Sequence, residues 1–368
     1  MGVLSGLRVL EFEAIGPVPF AGMLLADIGA EVLRIDRHQA PADLGLASDG
    51  AKVDVLGRGK HALCLDLKSS EAICTVCRLA AKADVLLEGF RPGTMERLGL
   101  GPAVMLAANP RLVYGRMTGW GQTGPLAQTA GHDINYIALS GLLSTIGEPG
   151  RKPVPPLNLL GDFGGGGMLL ALGVVSATLA ARRDGAGQVV DAAMTEGAAL
   201  LSAGLWGLMA SGLWQEGRGV NLLDGGAPWY DTYETADGRY VAVGAIEQRF
   251  YGDLLRGLGL DPDDLPARSD RAGWPAIRAR LATAFRSRTR DAWADHFDGS
   301  DACVTPVLSP AEAAANAQLV SRGAFQAVDA VVQPQPAPRF GGRGAALPRG
   351  APARGEGGEG LAAAWLAT

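Results

Sequence analysis

The sequence predicts an α/β fold: a large, doubly wound, Rossmann-like domain followed by a smaller α+β domain. Three observations carry this reading. A strand–helix–strand unit opens the chain, short buried strands then alternate with helices to about Trp120, and an alternating hairpin follows a long helical stretch. Apolar residues make up 48% of 368 positions, enough for two cores.

Each element has its own signal. "LRVLEF" (Leu7–Phe12) is a short buried strand, "GPVPFAGMLLADIGA" a loop and an apolar-faced helix, and "EVLRID" (Glu31–Asp36) a second strand. "HALCLDL" (His61–Leu67) and "ADVLLEGF" (Ala83–Phe90) read as strands, with a helix around Ile73–Lys82 between them. "RLVYGRMTGW" (Arg111–Trp120) is a strand running into a glycine-rich loop. Helix is expected to about Trp214. The hairpin "YDTYETADGRYVAVGAI" then turns at Ala236-Asp237-Gly238. Helices are expected at Phe250–Leu258 and Ala276–Arg286, and a strand in "DACVTPVL". Beyond about Val332 the Pro-, Gly- and Arg-rich chain reads as extended, with a short helix at Gly360–Ala367. The expected domain bounds are 1–185 for the large domain, 186–230 for a helical linker, 231–322 for the small domain and 323–336 for a return linker.

The net charge of −5, with no run of like charges, argues against a nucleic-acid or membrane-surface role. Two apolar stretches, Gly164–Ala181 and Ala192–Trp214, approach the roughly 20 residues of a bilayer span. The second carries Glu196, and both read better as buried helices or a subunit interface than as spans. No secretory signal is visible. The four cysteines are Cys64, Cys74, Cys77 and Cys303. The single CxxC lies on a predicted helix and reads as packing, in keeping with a reducing, cytoplasmic setting.

The first strand–helix turn reads "AIGPVPFAG", not GxGxxG, so NAD and FAD are unexpected. After the second strand stands Arg37, where NAD enzymes have an acidic residue; it suits a ribose phosphate or is a surface arginine. Arg91 and Arg97, just past the "ADVLLEGF" strand, either hold a phosphorylated ligand or mark an exposed helix start. "GGGG" (Gly164–Gly167) lacks the Lys-Ser/Thr of a P-loop and suits close backbone packing. Asp162 before it is either a helix cap or a carboxyl group tuned by a buried pocket. His132, in "AGHDINYIALSG", is either a base or a core histidine.

Taken together, these segments resemble the alpha-methylacyl-CoA racemases of the family III CoA-transferase superfamily (the CaiB/BaiF type). The matching pieces include "LSGLRVLEFEAIGPVPFAGMLLADIGAEVLRIDR", "ADVLLEGFRPGTMERLGLGP", "MTGWGQTGP", "AGHDINYIALSG", "PPLNLLGDFGGG", "GQVVDAAMTEG", "LDGGAPWYDTYETADGRYVAVGAIE" and "SDACVTPVL". Only Gln39–Val55 and the tail after about Leu319 match poorly. The resemblance implies two domains joined by long linkers, an interlocked homodimer, and a C-terminal segment, 337–368, that returns to the large domain. It implies His132 and Asp162 as the catalytic pair, with Glu247 approaching the histidine from the partner chain. It assigns Ile15, Arg37, Leu65, Asp66, Leu67, Lys68, Gly89, Phe90, Arg91 and Arg97 to the CoA moiety. Gly131, Asp133, Ile134, Asn135 and Tyr136 would lie along the thioester. Glu247 is followed by Gln248-Arg249, where close relatives usually have Pro-Gln.

The implied activity is racemisation of a 2-methylacyl-CoA by 1,1-proton transfer through an enolate, with no cofactor beyond the CoA of the substrate. Two acid/base groups on opposite faces serve this: a histidine near 6.5, and an aspartate raised by burial from about 3.9. The start of the Asp162 helix is expected to offer N–H groups to the enolate oxygen. The alternative is a family III CoA transferase, in which Asp162 attacks the thioester as a nucleophile.

Overall fold

The computed structural model describes residues 2–38, 53–341 and 349–368. Most of the poorly matching Gln39–Val55 stretch therefore lies outside the described residues. Two compact units emerge: Met1–Leu142 with Pro156–Ala203 and Ala317–Thr368, and Leu143–Pro155 with Gly204–Asn316.

The larger unit begins with β1 (Arg8–Phe12), α1 (Pro17–Asp27), β2 (Glu31–Asp36), β3 (His61–Cys64), α2 (Ser70–Ala80) and β4 (Val85–Glu88). There follow α3 (Thr94–Arg97), α4 (Pro102–Ala108), β5 (Val113–Thr118) and α5 (Asp133–Leu139). A π-helix (Leu159–Met168) then runs straight into α6 (Leu169–Asp184), before β6 (Val189–Ala193) and α7 (Met194–Leu201). The six strands are all parallel, in the order β3-β2-β1-β4-β5-β6. The chain order reverses between β1 and β4, which opens a crevice at their C-terminal ends.

Successive strand residues point to opposite faces, which explains why the central residues of these buried strands are apolar on both sides. Val9, Val32, Val85 and Leu87 pack with Leu25 of α1 and Val174 of α6. Leu10, Leu33, Leu86 and Tyr114 face the other way, onto Val76 and Leu79 of α2. Trp365, 1% exposed, seals this second layer from the C-terminal helix. Local chemistry sets the ends. The Ser69 hydroxyl accepts the Ala72 N–H to start α2, and Gly185, at φ 77, closes α6 just after Arg182 and Arg183.

Of the buried ion pairs described in this unit, which include Arg58–Asp27 and Arg116–Glu88, Lys60–Glu11 is the most enclosed. Lys60 donates to both Glu11 carboxylate oxygens at 2.7 and 2.8 Å and to the Pro19 carbonyl, with both side chains fully buried. Burial pushes Glu11 up and Lys60 down, against their mutual attraction. Lys60→Met, which strands Glu11 in the core, is expected to cost about 3–5 kcal/mol in urea unfolding. Adding Glu11→Leu should recover most of that loss; a single variant of unchanged stability would contradict this account.

The second unit contains most of α8 (Ala203–Ala210), then β7 (Tyr230–Glu234), β8 (Tyr240–Gly244), α9 (Gln248–Leu258), α10 (Trp274–Phe285) and α11 (Arg290–Phe297). Next come β9 (Val304–Pro306) and α12 (Pro310–Ala315). Its sheet is antiparallel, in the order β7-β8-β9, and Gly238, at φ 71, turns the hairpin as expected. Trp229, Tyr251, Trp274 and Phe285 anchor its core. The chain then returns to the larger unit through α13 (Ala317–Ser321), the antiparallel hairpin of β10 (Phe325–Val328) and β11 (Val331–Pro334), and α14 (Gly358–Leu366).

The compact units differ from the expected bounds in three places. Residues 143–155 group with the smaller unit. The 186–230 stretch is not purely helical: Val189–Ala193 is β6, paired with β5, so residues to Ala203 stay with the sheet. The return to the larger unit begins at Ala317, and the stretch 323–336, expected as a return linker, holds a hairpin. Cys77 packs against the α2 core layer, while Cys74 is exposed. The continuous helix Leu159–Asp184 is long and apolar enough to cross a bilayer by composition. One of its faces, with Leu170, Val174 and Ala177, is buried in the sheet core.

Candidate active site

The C-terminal ends of β1, β4 and β5 carry the loops that build the site. After β1 comes Gly16, at φ 69, where a side chain would meet the Asp162 carboxylate at 2.9 Å. After β4 comes Gly89, where a Cβ would lie 2.9 Å from Val18 and 3.4 Å from Ala14. A glycine is thus needed where the two loops meet at the crevice. After β5 the chain passes Gly119 and Trp120 towards His132.

His132 stands at the N-cap of α5, where its N–H donates to Asn135 Oδ1 and its carbonyl accepts the Asn135 N–H. Its backbone serves the helix and its side chain is exposed, which excludes the core-histidine reading. Tyr136 braces the approach: its hydroxyl donates to the Gly131 carbonyl, and its ring meets Trp120 edge-on at 4.8 Å. Trp120 in turn donates to the Thr129 carbonyl at 3.1 Å. Burial pushes the Tyr136 phenol up to about 12, with Asp162 adding to the effect, so it remains a donor.

Asp162 lies inside the π-helix, with Asn158 at the N-cap position, so the cap reading is corrected. Its carboxylate accepts from Asn158 Nδ2 at 3.1 Å. Burial raises the Asp162 carboxyl above the usual aspartate range; the Asn158 bond and His132 oppose this, and Asp133 adds to it. Asp133 is buried, and its Oδ2 accepts the N–H groups of Gly161 and Asp162 at 2.6 and 2.7 Å. Those two N–H groups are therefore engaged and are not among the ones the start of this helix could offer to an enolate oxygen. Leu157, at φ 58, places a strained residue immediately before Asn158.

The glycine run packs backbone against backbone. A Cβ on Gly165 would sit 2.6 Å from Ala198 N, and one on Gly167 2.6 Å from the Pro17 carbonyl. This brings α1 and α7 directly onto the segment that carries Asp162.

The residues assigned to CoA line one rim of the larger unit. Arg37 is exposed, its guanidinium 6.0 Å from the Phe90 ring, and its N–H donates to Glu13. Arg91 is exposed on the loop after β4 and Arg97 at the end of α3, where Thr94 holds it at 2.9 Å. Glu88 is buried and accepts the Phe90 N–H at 2.8 Å and Arg116 Nε at 2.8 Å, which fixes that loop from below. Leu65 and Leu67 are partly buried, Asp66 and Lys68 are exposed, and Ile15 is 60% exposed beside the first turn. Ile134 and Asn135 are exposed on the first turn of α5.

The sequence reading missed Arg354, which pairs with Glu13 at 2.6 Å and donates to the Arg37 carbonyl at 2.5 Å. Its signal was the arginine-rich tail. It also missed Asn158 and Trp120.

In the other unit, Glu247 is exposed at the N-cap position of α9. Arg268 donates to the Ile246 carbonyl at 2.6 Å and to Gln248 Oε1 at 3.2 Å, and it is stacked between Trp229 and Tyr251. The unusual Gln248 is thus part of the clamp that shapes the Glu247 loop. Among the described residues, no cluster of His, Cys, Asp and Glu is arranged to hold a metal ion.

The family model for CoA-transferase family III matches residues 4–357. The chain belongs to CoA-transferase family III. Within it, the chain is 50% identical to the alpha-methylacyl-CoA racemase of Mus musculus, over 91% of this chain and 86% of that protein. It is 48% identical to the alpha-methylacyl-CoA racemase of Homo sapiens, with the same coverage. Among solved structures it resembles a CAIB/BAIF family protein from Brucella suis, with a TM-score of 0.85 and 26% identity over 99% of both chains. The parallel sheet and the smaller antiparallel sheet are thus a family III fold.

Proposed function

We propose that this family III protein interconverts (R)- and (S)-2-methylacyl-CoA thioesters, with His132 and Asp162 as the acid/base pair. The observation that carries this is the pairing itself. An exposed imidazole and a half-buried carboxyl raised by burial are joined through Asp133, which adjoins the first and binds the backbone of the second. Half-identity to racemases supports the same reaction class. One group takes the α-proton, leaving an enolate, and the other returns a proton to the opposite face. Arg37, Arg91 and Arg97 are the cations for the CoA phosphates, and no further cofactor is required.

Glu247 is assigned to orient the imidazole from the second chain of a homodimer. Exposed Met168, Leu172 and Leu179 on the long helix, and Leu200 and Leu201 on α7, support an apolar interface for that dimer. The expected setting is cytoplasmic.

The test is NMR of the α-proton of a 2-methylacyl-CoA in deuterated water, without any acceptor acid. Loss of the α-proton signal with formation of both epimers is expected. CoA transfer to an added carboxylate, with no exchange, would instead make Asp162 a transferase nucleophile.

A further inference from the structure

We propose that Asp133 is a positioning residue for the reaction: its carboxylate anchors the backbone of Asp162 and sets a second negative charge beside that side chain. An acid in the first turn of a helix is ordinarily an exposed partner of the helix dipole. Asp133 is only 5% exposed and binds across to a different element, the π-helix. One oxygen, Oδ2, takes both the Gly161 and the Asp162 N–H groups. The other, Oδ1, is buried with no hydrogen-bond partner among the described residues. Gly161 permits the approach, because a Cβ there would lie 2.6 Å from Oδ2.

An unpaired carboxylate oxygen in a water-poor site acts strongly on its neighbours. The groups facing Asp162 are the Asn158 amide on its own helix and His132, Asp133 and Tyr136 around α5. From α1 and α7 the contacts to the glycine run are made by Pro17, Phe20, Met194, Gly197 and Ala198; Glu196 of α7 is exposed. Asp133 is thus the one negative group among these that opposes ionisation of Asp162, beside burial itself. That narrows the gap between an aspartate and a histidine, which proton exchange between two faces requires.

This assignment rests on the acid/base reading above, and one experiment separates the two. The pH dependence of kcat/KM for racemisation is compared between the native protein and Asp133→Asn. Asparagine keeps an acceptor for the two N–H groups and removes the charge. The acid limb reports the point where the pair takes its second proton, so losing the charge should move it down by about one pH unit. Asp133→Ala also removes the anchor, and kcat should fall by a further ~10-fold or more while KM changes little. A folded Asp133→Asn protein with an unmoved acid limb would overturn the assignment and leave the racemase reading intact. Native protein that exchanges no α-proton would sink both. If Asp133→Asn fails to fold, Asp133→Ser, which still accepts one N–H without charge, is read against the same limb.

Discussion

Asp162→Asn is expected to lower racemisation by roughly 10²–10⁴-fold while leaving one epimer still exchanging its α-proton with solvent. With Asp162 silenced, His132 can still remove and return a proton on its own face. Substrate of one configuration should take up deuterium and keep that configuration; the other epimer should be inert. His132→Ala should show the mirror image, with exchange confined to the opposite epimer. The readout is NMR of each pure epimer in deuterated water. If both variants exchange the same epimer, or if Asp162→Asn still racemises, these residues are not a two-faced pair. The raised Asp162 carboxyl gives the pH direction as well. Below its pKa the pair holds two protons and no base remains, so activity should fall from the acid side at a higher pH than an ordinary aspartate would give.

The second large effect is steric. Gly197→Ala puts a methyl group 1.8 Å from the Gly165 carbonyl oxygen and 2.5 Å from its carbon. Both are backbone atoms of the π-helix, so no side-chain rotation relieves the overlap. Helix α7 must move off the segment that carries Asp162. The expected cost is about 1–3 kcal/mol of stability, with the lower melting temperature that follows. Racemisation should fall by roughly 10²-fold, because a displacement of about 1 Å at a catalytic group has that effect. Gly252→Ala, on α9, is the control: nothing lies within 4 Å of its Cβ, and replacing a helix-interior glycine should leave stability equal or slightly higher. A Gly197→Ala protein with native melting and native rate would show that the close contact is not needed.

Much of this arrangement is legible in the sequence where burial leaves a pattern. Strands β1 to β5 each carry neighbouring apolar residues because helices cover both faces of the sheet. Strand β6 reads "VVDAA", with Val189 exposed and Asp191 outward, so it shows neither an apolar run nor alternation. The β10–β11 hairpin is hidden for a related reason: only Gln333 among its residues is buried, and it closes with Pro334. The site residues were named by their resemblance to a family, not by periodicity. Position alone could not separate an exposed His132 from a core one, nor show that Asp133 is buried and bonded 28 residues ahead. Those facts depend on contacts between distant elements, which no local pattern encodes.

The π-helix has a consequence for how this protein tolerates change in length. Its wide turn holds about one residue more than an α-turn, and such turns are frequent at functional sites. Removing one residue from Leu159–Met168 would let the segment relax to ordinary α-helix, which is locally the easier conformation. The loss is taken up by the narrowing turn, so the flanking segments keep nearly their old facing while the residues inside it are re-aimed. The apolar face of α6 would hold its place on the sheet, and Asp162 would turn away from the crevice. The helix and its core would survive such a deletion, and the chemistry would not.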